Sequence, residues 1–554
     1  MVKISTLFVV GAAITQQAFG YIWPMPTNFT SGNQNLIFKD SCLSVTVTGN
    51  ESDILTRAIG RYSNLIQKES FTPPTEYNAG PIDSSGSVKD LTINVATNST
   101  DLNLETDESY TLTVGADGSA VLKSQTVYGA IRGLESFSQL FTVNNGNKYI
   151  RNVPISISDA PFFNHRGLML DTARNFYPVD VLKRTLNGLS YTKINVLHWH
   201  IVDSQAWAVE AKFDPNLAAK GSYGPSMTYS QDDVKEIISF AKDRGIRVIP
   251  EFDMPGHTRS VSLSNPDIMS CVDVQPKWVD FAAQPPSGQL NIAKQGAYDF
   301  SKKVIDEFSS LFEDKVFHVG GDEVNTNCWQ TDPDVIAYLA QNPSESVNSL
   351  LIKYYDFVYK TLGDNSKTGM CWHETVMNTN AVLPNDTIVQ AWNGVTATYT
   401  AIVNKGYRVV ASPTTNMYLD CGHGPWVSNS IGSAYYCDPY KHWGLIYVYD
   451  PYLGVTDDRR NQIIGGEAAL WSEQSDENNI DRMLWPRMGS VGELYWKGPL
   501  PTSYTALQKG NALNDVSPRF NEFRFRLLAR GISAEPTQPL WCIRNPGQCS
   551  RYLT

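Results

Sequence analysis

The chain has 554 residues, 42% of them hydrophobic and 11% aromatic, enough material for one large core and a smaller second one. A formal net charge of −11 excludes nucleic acid and anionic membrane surfaces as natural partners. Thirteen tryptophans form a high count of the kind that accompanies sugar stacking, although tryptophans also fill cores.

Met1 to Gly20 reads as a secretory signal. Lys3 is followed by an apolar run from Ile4 to Ile14, and Ala18 and Gly20 stand at −3 and −1 of a cleavage point. The run is too short to span a membrane, and no later stretch is long and apolar enough, so the mature chain is expected to be soluble. IWPMP (Ile22 to Pro26) follows almost at once, leaving no evident separate propeptide. Sequons at Asn28, Asn50, Asn98 and Asn385 are candidate glycosylation sites. Eight cysteines permit about 105 complete pairings. Spacing supports Cys542 with Cys549 and Cys421 with Cys437; Cys271 with Cys328 would then tie two loops, leaving Cys42 and Cys371 as buried free thiols.

From Tyr21 to Phe162 the pattern is mixed. Strands are expected at Cys42 to Thr48, Leu91 to Thr97 and Tyr110 to Gly115, with helices at Ile54 to Ser70 and Val127 to Phe141. This is a small α+β domain with few acid or histidine clusters, and Asp159, Ala160 and Pro161 mark its end.

Residues 163–554 then show a new rhythm. Buried strand-like runs occur at Arg166 to Asp171, Asn195 to Asp203, Arg247 to Asp253, Val316 to Glu323, Thr368 to Glu374, Thr387 to Trp392, Arg408 to Pro413 and Ile463 to Trp471. Helical patterns at Val179 to Tyr191, Gln231 to Arg244, Gly296 to Phe312, Val347 to Leu362 and Ala397 to Asn404 lie between them, and one at Ile480 to Leu494 opens a helical tail. Eight such steps predict an α/β fold, a (β/α)8 TIM barrel with its active site at the C-terminal strand ends. Polar and aromatic residues gather where that rule requires: Asp171 and Arg174, Asp203, Asp253 and His257, Asp322 and Glu323, Trp372 and Glu374, Trp392, Tyr418 and Asp420, Trp471 and Glu473. Indoles, carboxylates and an arginine together suit a neutral pyranose, by stacking and charge-assisted hydrogen bonds.

The centre of this set is VFHVGGDEV (Val316 to Val324). Alone, GGDE fits a glycine turn with a solvated acidic cap, and short motifs match by chance. Neighbouring strand side chains point to opposite faces, so Asp322 and Glu323 cannot easily flank a sugar as an ordinary acid and nucleophile pair and need different jobs.

DTARNFYP (Asp171 to Pro178), WHIVDSQAW (Trp199 to Trp207), EFDMPGH (Glu251 to His257), HVGGDEV and GGEAALWSE (Gly465 to Glu473) together resemble the family 20 glycoside hydrolases, specifically a eukaryotic, fungal β-N-acetylhexosaminidase. The resemblance extends over nearly the whole mature chain, including LWPRMGSVGELYW (Leu484 to Trp496). It implies substrate-assisted retention, in which the substrate's acetamido oxygen attacks C1. By the same resemblance Glu323 is the general acid and base and Asp322 orients the acetamido group. Arg174 grips sugar hydroxyls with help from Asp420 and Glu473, and Trp372, Trp392 and Trp471 wall the acetamido pocket with Tyr418 donating to its oxygen. Asp203 and His257 form a relay behind the acid. The implied substrates are β-linked N-acetylhexosamine oligosaccharides, with no cofactor and no metal, and family analogy implies a homodimer. Cys421 to Cys437 reads as a lid loop, with Trp426 or Trp443 as a further subsite. The rival reading is a metal hydrolase, since His198 and His200 form an HxH on a strand and His257, His318 and His373 lie near strand ends.

Overall fold

A computed structural model describes residues 22–39, 43–427, 436–452 and 454–551 of the chain. The expected signal and Cys42 lie outside them.

The N-terminal sheet runs, in spatial order, through Ser44–Val47, Asp90–Val95, Ser119–Ser124, Tyr110–Val114, Asn147–Asp159, Asn28–Phe38 and Gly86–Ser87, with Phe141–Asn144 paired to Asn147–Asp159. Alternation sets its buried side: Leu91, Ile93 and Val95 on one strand and Tyr110, Leu112 and Val114 on another point inward. Helix Asp53–Lys68 covers that side with Leu55, Ala58, Tyr62 and Ile66, beside helix Val127–Gln139. Ser52 and Thr126 start these helices by accepting the backbone N–H groups of Leu55 and Gly129 at 3.2 Å each. The strand Asn28–Phe38 had no apolar pattern to announce it; it is mostly exposed and held by its backbone ladder to Asn147–Asp159.

Eight parallel strands close the barrel: β1 (His165–Asp171), β2 (Val196–Val202), β3 (Arg247–Phe252), β4 (Val316–His318), β5 (Thr368–Trp372), β6 (Ile388–Ala391), β7 (Arg408–Ala411) and β8 (Ile463–Leu470), the last pairing back to β1. The expected barrel is therefore present. Leu197, Trp199 and Ile201 of β2 face the surrounding helices, while Val196, His198 and His200 face the interior. Near the strand starts Val196, Ile249, Val316, Met370, Ile388 and Val410 form an apolar plug. Two residues further along those strands come His198, Glu251, His318, Trp372 and Gln390, so the layer above the plug is largely polar.

Two expectations need correction. β4 stops at His318, because Gly320 and Gly321 take positive φ and leave the strand conformation. The single helix expected over Ile480 to Leu494 is two, Ile480–Leu484 and Arg487–Lys497, interrupted where Pro486 has no N–H to continue the ladder. Among the described residues no helix is long and apolar enough to cross a membrane. Cys271–Cys328, Cys421–Cys437 and Cys542–Cys549 are joined, and Cys371 is buried and free. Asn28, Asn50, Asn98 and Asn385 are exposed.

Buried charge joins sheet to barrel. Glu108 accepts from Arg132 at 2.7 Å, Arg166 of β1 at 2.6 Å and Asn195 at 3.0 Å. Asp159 accepts from Lys193 at 2.9 Å and from the indole of Trp496 at 3.0 Å. Glu108→Gln removes the charge facing two buried guanidinium groups and should cost about 3–5 kcal/mol, read as a lower midpoint in urea unfolding. An unchanged midpoint would mean that the arginines are satisfied without it.

Candidate active site

The turn after β4 is moulded by its glycines. Gly320 has φ +65° and Gly321 +92°. A Cβ on Gly320 would stand 1.8 Å from Asp253 Oδ1, and one on Gly321 2.4 Å from Thr375 Oγ1. The Gly321 N–H donates to Asp253 Oδ1 at 2.8 Å, and Glu323 follows with φ +48°. This path brings both carboxylates to one side of the turn, where Glu323 Oε2 lies 3.3 Å and Asp322 Oδ2 3.8 Å from His257 Nε2. The opposite-face expectation for the pair is thus corrected, since strand alternation ends before the pair begins. Their environments differ: the Asp322 side chain is 10% exposed and that of Glu323 34%.

Behind them runs a line of alternating acid and base. His257 Nδ1 meets Asp203 Oδ1 at 3.1 Å, and Asp203 Oδ2 takes His200 Nε2 at 2.8 Å and Arg174 at 2.9 Å. Burial pushes the Asp203 carboxyl up, but Arg174 and His257 outweigh it and hold it well below the usual carboxylate range. His257 goes the other way: burial opposes its charge, and Asp203 and Asp322 lift it well above the ordinary imidazole value. Asp253 and Asp322 are close, buried carboxyls. Burial, then the charge of Asp322, raises Asp253 well above the carboxylate range. Asp322 is also raised by burial, with the His257 charge pulling it back.

Aromatic rings wall the space beside the turn. Trp372 and Trp471 have centroids 5.9 Å apart, Tyr418 lies 6.3 Å from Trp471, and Trp392 stacks 6.4 Å from Tyr418. Arg174 lies 4.8 Å over Trp471, and its Nε is buried without a protein partner. Trp392 is fixed by Glu374, whose oxygens accept its indole N–H at 2.9 and 3.0 Å. Burial and the Asp322 charge push Glu374 up to about 8, while burial drops the adjacent His373 to about 4, so both are neutral near pH 7. Glu473 is lifted to about 7 by burial against the pull of Arg174. Asp420 is raised well above its usual range by burial and the Glu473 charge.

Asp171, the remaining strand-end residue, accepts the Ala173 N–H at 2.8 Å, the Ser472 N–H at 3.0 Å and Arg174 NH1 at 3.4 Å, and so holds the arginine from behind. The two tryptophans read as further subsites fall elsewhere. Trp443 stacks on Phe520 of helix Ala506–Ala529 at 4.5 Å and serves packing, which corrects its reading as a subsite. Trp426 stands just before residues 428–435, the part of the lid expected between Cys421 and Cys437 that lies outside the described residues.

Beneath the wall lies a buried network that sequence reasoning did not assemble. Glu251 accepts Trp372 Nε1 at 2.8 Å and His200 Nδ1 at 2.7 Å and lies 2.9 Å from His198 Nε2. His198 Nδ1 lies 2.7 Å from Glu467, which also takes Gln390 at 2.6 Å and faces His165 at 2.9 Å. The only hint was a carboxylate inside each of two buried runs, EFD and GGEAAL, since a charge there must be paired. This network bears on the HxH rival. His198, Glu251 and His318 bring ligand-type atoms within 4.8 Å of one another. Carboxylate oxygens lie 2.9 Å from Nε2 and 2.7 Å from Nδ1 of His198, and against burial their charge lifts it to about 9.

Comparison with known proteins agrees over most of the chain. Residues 163–499 match the glycosyl hydrolase family 20 catalytic domain, and residues 22–140 match a domain described as beta-acetyl hexosaminidase like. A beta-hexosaminidase of Emericella nidulans is 36% identical over 481 residues, covering 81% of this chain and 78% of that one. A chitooligosaccharidolytic beta-N-acetylglucosaminidase of Bombyx mori is 33% identical over 558 residues, covering 96% and 89%. Among solved structures, the chitobiase of Flavobacterium johnsoniae superimposes with a TM-score of 0.74 at 26% identity, covering 93% of this chain and 73% of that one. The chain is an enzyme that belongs to glycosyl hydrolase family 20.

Proposed function

We propose that the enzyme is a secreted, exo-acting β-N-acetylhexosaminidase that removes terminal β-linked GlcNAc, and GalNAc, from chitin oligosaccharides and glycans by substrate-assisted retaining hydrolysis. The observation that carries this reading is the pair Asp322 and Glu323, adjacent in the chain and converging on His257, with Glu323 the more exposed of the two. A retaining pair of the ordinary kind needs carboxyls on opposite sides of the sugar. Here Glu323 protonates the glycosidic oxygen and then draws a proton from water. Buried Asp322 holds the acetamido N–H and balances the positive charge of the oxazolinium formed when the acetamido oxygen attacks C1. Arg174, Asp420 and Glu473 take the sugar hydroxyls, and Trp372, Trp392, Trp471 and Tyr418 enclose the acetamido group. Asp203 and His257 act on Glu323 from behind.

Residues 1–20 are read as the signal peptide, 21–162 as the supporting domain and 163–554 as the catalytic barrel with its tail; the disulfides and exposed sequons support secretion. The printed activity of the Bombyx mori relative supports chitin oligosaccharides as substrates. Homodimer formation stays a proposal by family analogy.

The test compares an aryl N-acetylglucosaminide with the aryl glucoside. The first, and the galactosaminide, should be cleaved with retention, and the glucoside, which lacks the internal nucleophile, should be essentially inert. Comparable turnover of the glucoside would sink the mechanism.

A further inference from the structure

We propose that Glu251 is a positioning residue that serves two parts of the site at once, fixing the indole of Trp372 through one oxygen and the proton state of His200, and through it the Asp203–His257–Glu323 line, through the other. The inference rests on the active-site reading above and goes beyond it, because Glu251 lies below the pocket and reaches it only through Trp372 and His200.

Geometry makes the connection continuous. From Glu323 the line passes to His257 at 3.3 Å, to Asp203 at 3.1 Å, to His200 at 2.8 Å and to Glu251 at 2.7 Å. The other Glu251 oxygen accepts from Trp372 at 2.8 Å. The side chains of Asp203, His200 and Glu251 are fully buried, so water cannot substitute for a lost partner. His200 has a carboxylate at each nitrogen and donates to both, which makes it an imidazolium. The remaining groups facing it are Arg174, with NH1 at 3.4 Å, and the edge of Trp471. Arg174 opposes the proton on His200, so the anions must retain it. Glu251 in turn faces His198 and His318, the latter at 3.3 Å, besides His200 and Trp372. Burial disfavours charge on both partners, yet His200 stands well above the ordinary imidazole value and Glu251 well below the carboxylate one.

Removing the Glu251 charge has a traceable effect. Its amide replacement leaves His200 beside Arg174 with only Asp203 as counter-charge, and the ring gives up its proton. Neutral His200 takes a positive charge away from Asp203, whose carboxylate then protonates more readily. The amide can turn its N–H to the ring nitrogen that His200 bares, but Trp372 then donates to a neutral amide oxygen in place of a carboxylate, a weaker acceptor, so the pocket wall loosens as well.

The experiment has two arms. In the first, Glu251→Gln and Glu251→Asp are compared with the unsubstituted enzyme on an aryl N-acetylglucosaminide across pH. Glu251→Gln should lose about tenfold or more in kcat/KM, raise KM, and move the acidic limb of the kcat/KM profile upward by about one pH unit, while Glu251→Asp keeps the limb in place. A purely structural role would lower Tm in both variants and leave the limb unmoved, which would overturn the proposal. In the second arm, nitrogen-15 NMR of the histidine-labelled enzyme reads His200 directly. His200 should carry two ring protons at pH 8 in the unsubstituted protein and one in Glu251→Gln; a neutral His200 in the unsubstituted protein overturns the proposal even if neither variant folds. An unsubstituted enzyme inert on the N-acetylglucosaminide would instead overturn the reading of the site, and the NMR arm would still decide the role of Glu251.

Discussion

Asp322→Asn is expected to lower kcat on an aryl N-acetylglucosaminide by about a hundredfold or more, with a smaller change in KM. The substitution keeps size and a hydrogen-bonding oxygen beside Asp253. What it removes is the charge, in a place that is nearly closed to water. In the proposed reaction the acetamido nitrogen becomes positive only as the oxazolinium forms, so the carboxylate acts chiefly in the transition state. A hundredfold loss corresponds to about 2.7 kcal/mol, ordinary for one preorganised electrostatic group. A folded variant with nearly unchanged kcat would show that Asp322 has been given the wrong role.

Glu323→Gln should separate substrates by leaving group. An amide cannot donate the proton that a sugar alkoxide needs, so oligosaccharides should lose about 10²–10⁴ in kcat, while activated aryl glycosides, which leave without help, should lose much less. Parallel losses on both substrate classes would remove Glu323 from the general-acid role and leave His257, its neighbour at 3.3 Å, as the group to examine.

The barrel was legible because each strand is a short run buried on both faces, and Val196–Val202 is the plainest case. The turn after β4 was legible as glycines followed by acids, but not the side on which the acids emerge, because two positive φ values break the period-two reading. Pro486 was a visible breaker inside the pattern Ile480 to Leu494, yet apolar periodicity masked it. Asn28–Phe38 was hidden for the opposite reason: a strand held by backbone pairing, with exposed polar side chains, carries no apolar signal. The Glu251 and Glu467 network is a matter of register. Glu467 reaches His198 across 269 residues of sequence, and no single chain displays that pairing before the barrel closes.

The charged seam under the barrel has a consequence for modularity. Arg166 and Lys193 sit at the base of the barrel, but the carboxylates that neutralise them, Glu108 in the loop before Tyr110–Val114 and Asp159 at the end of Asn147–Asp159, belong to the N-terminal region. A fragment begun at residue 163 would therefore carry two orphaned cations at its floor, along with the ring of Trp496 stripped of its acceptor. The two regions recognised separately by family comparison thus share buried ion pairs. Grafting this barrel onto another scaffold, or expressing it alone as a minimal catalyst, requires carrying the sheet with it or rewriting Arg166, Lys193 and Trp496 as neutral residues first.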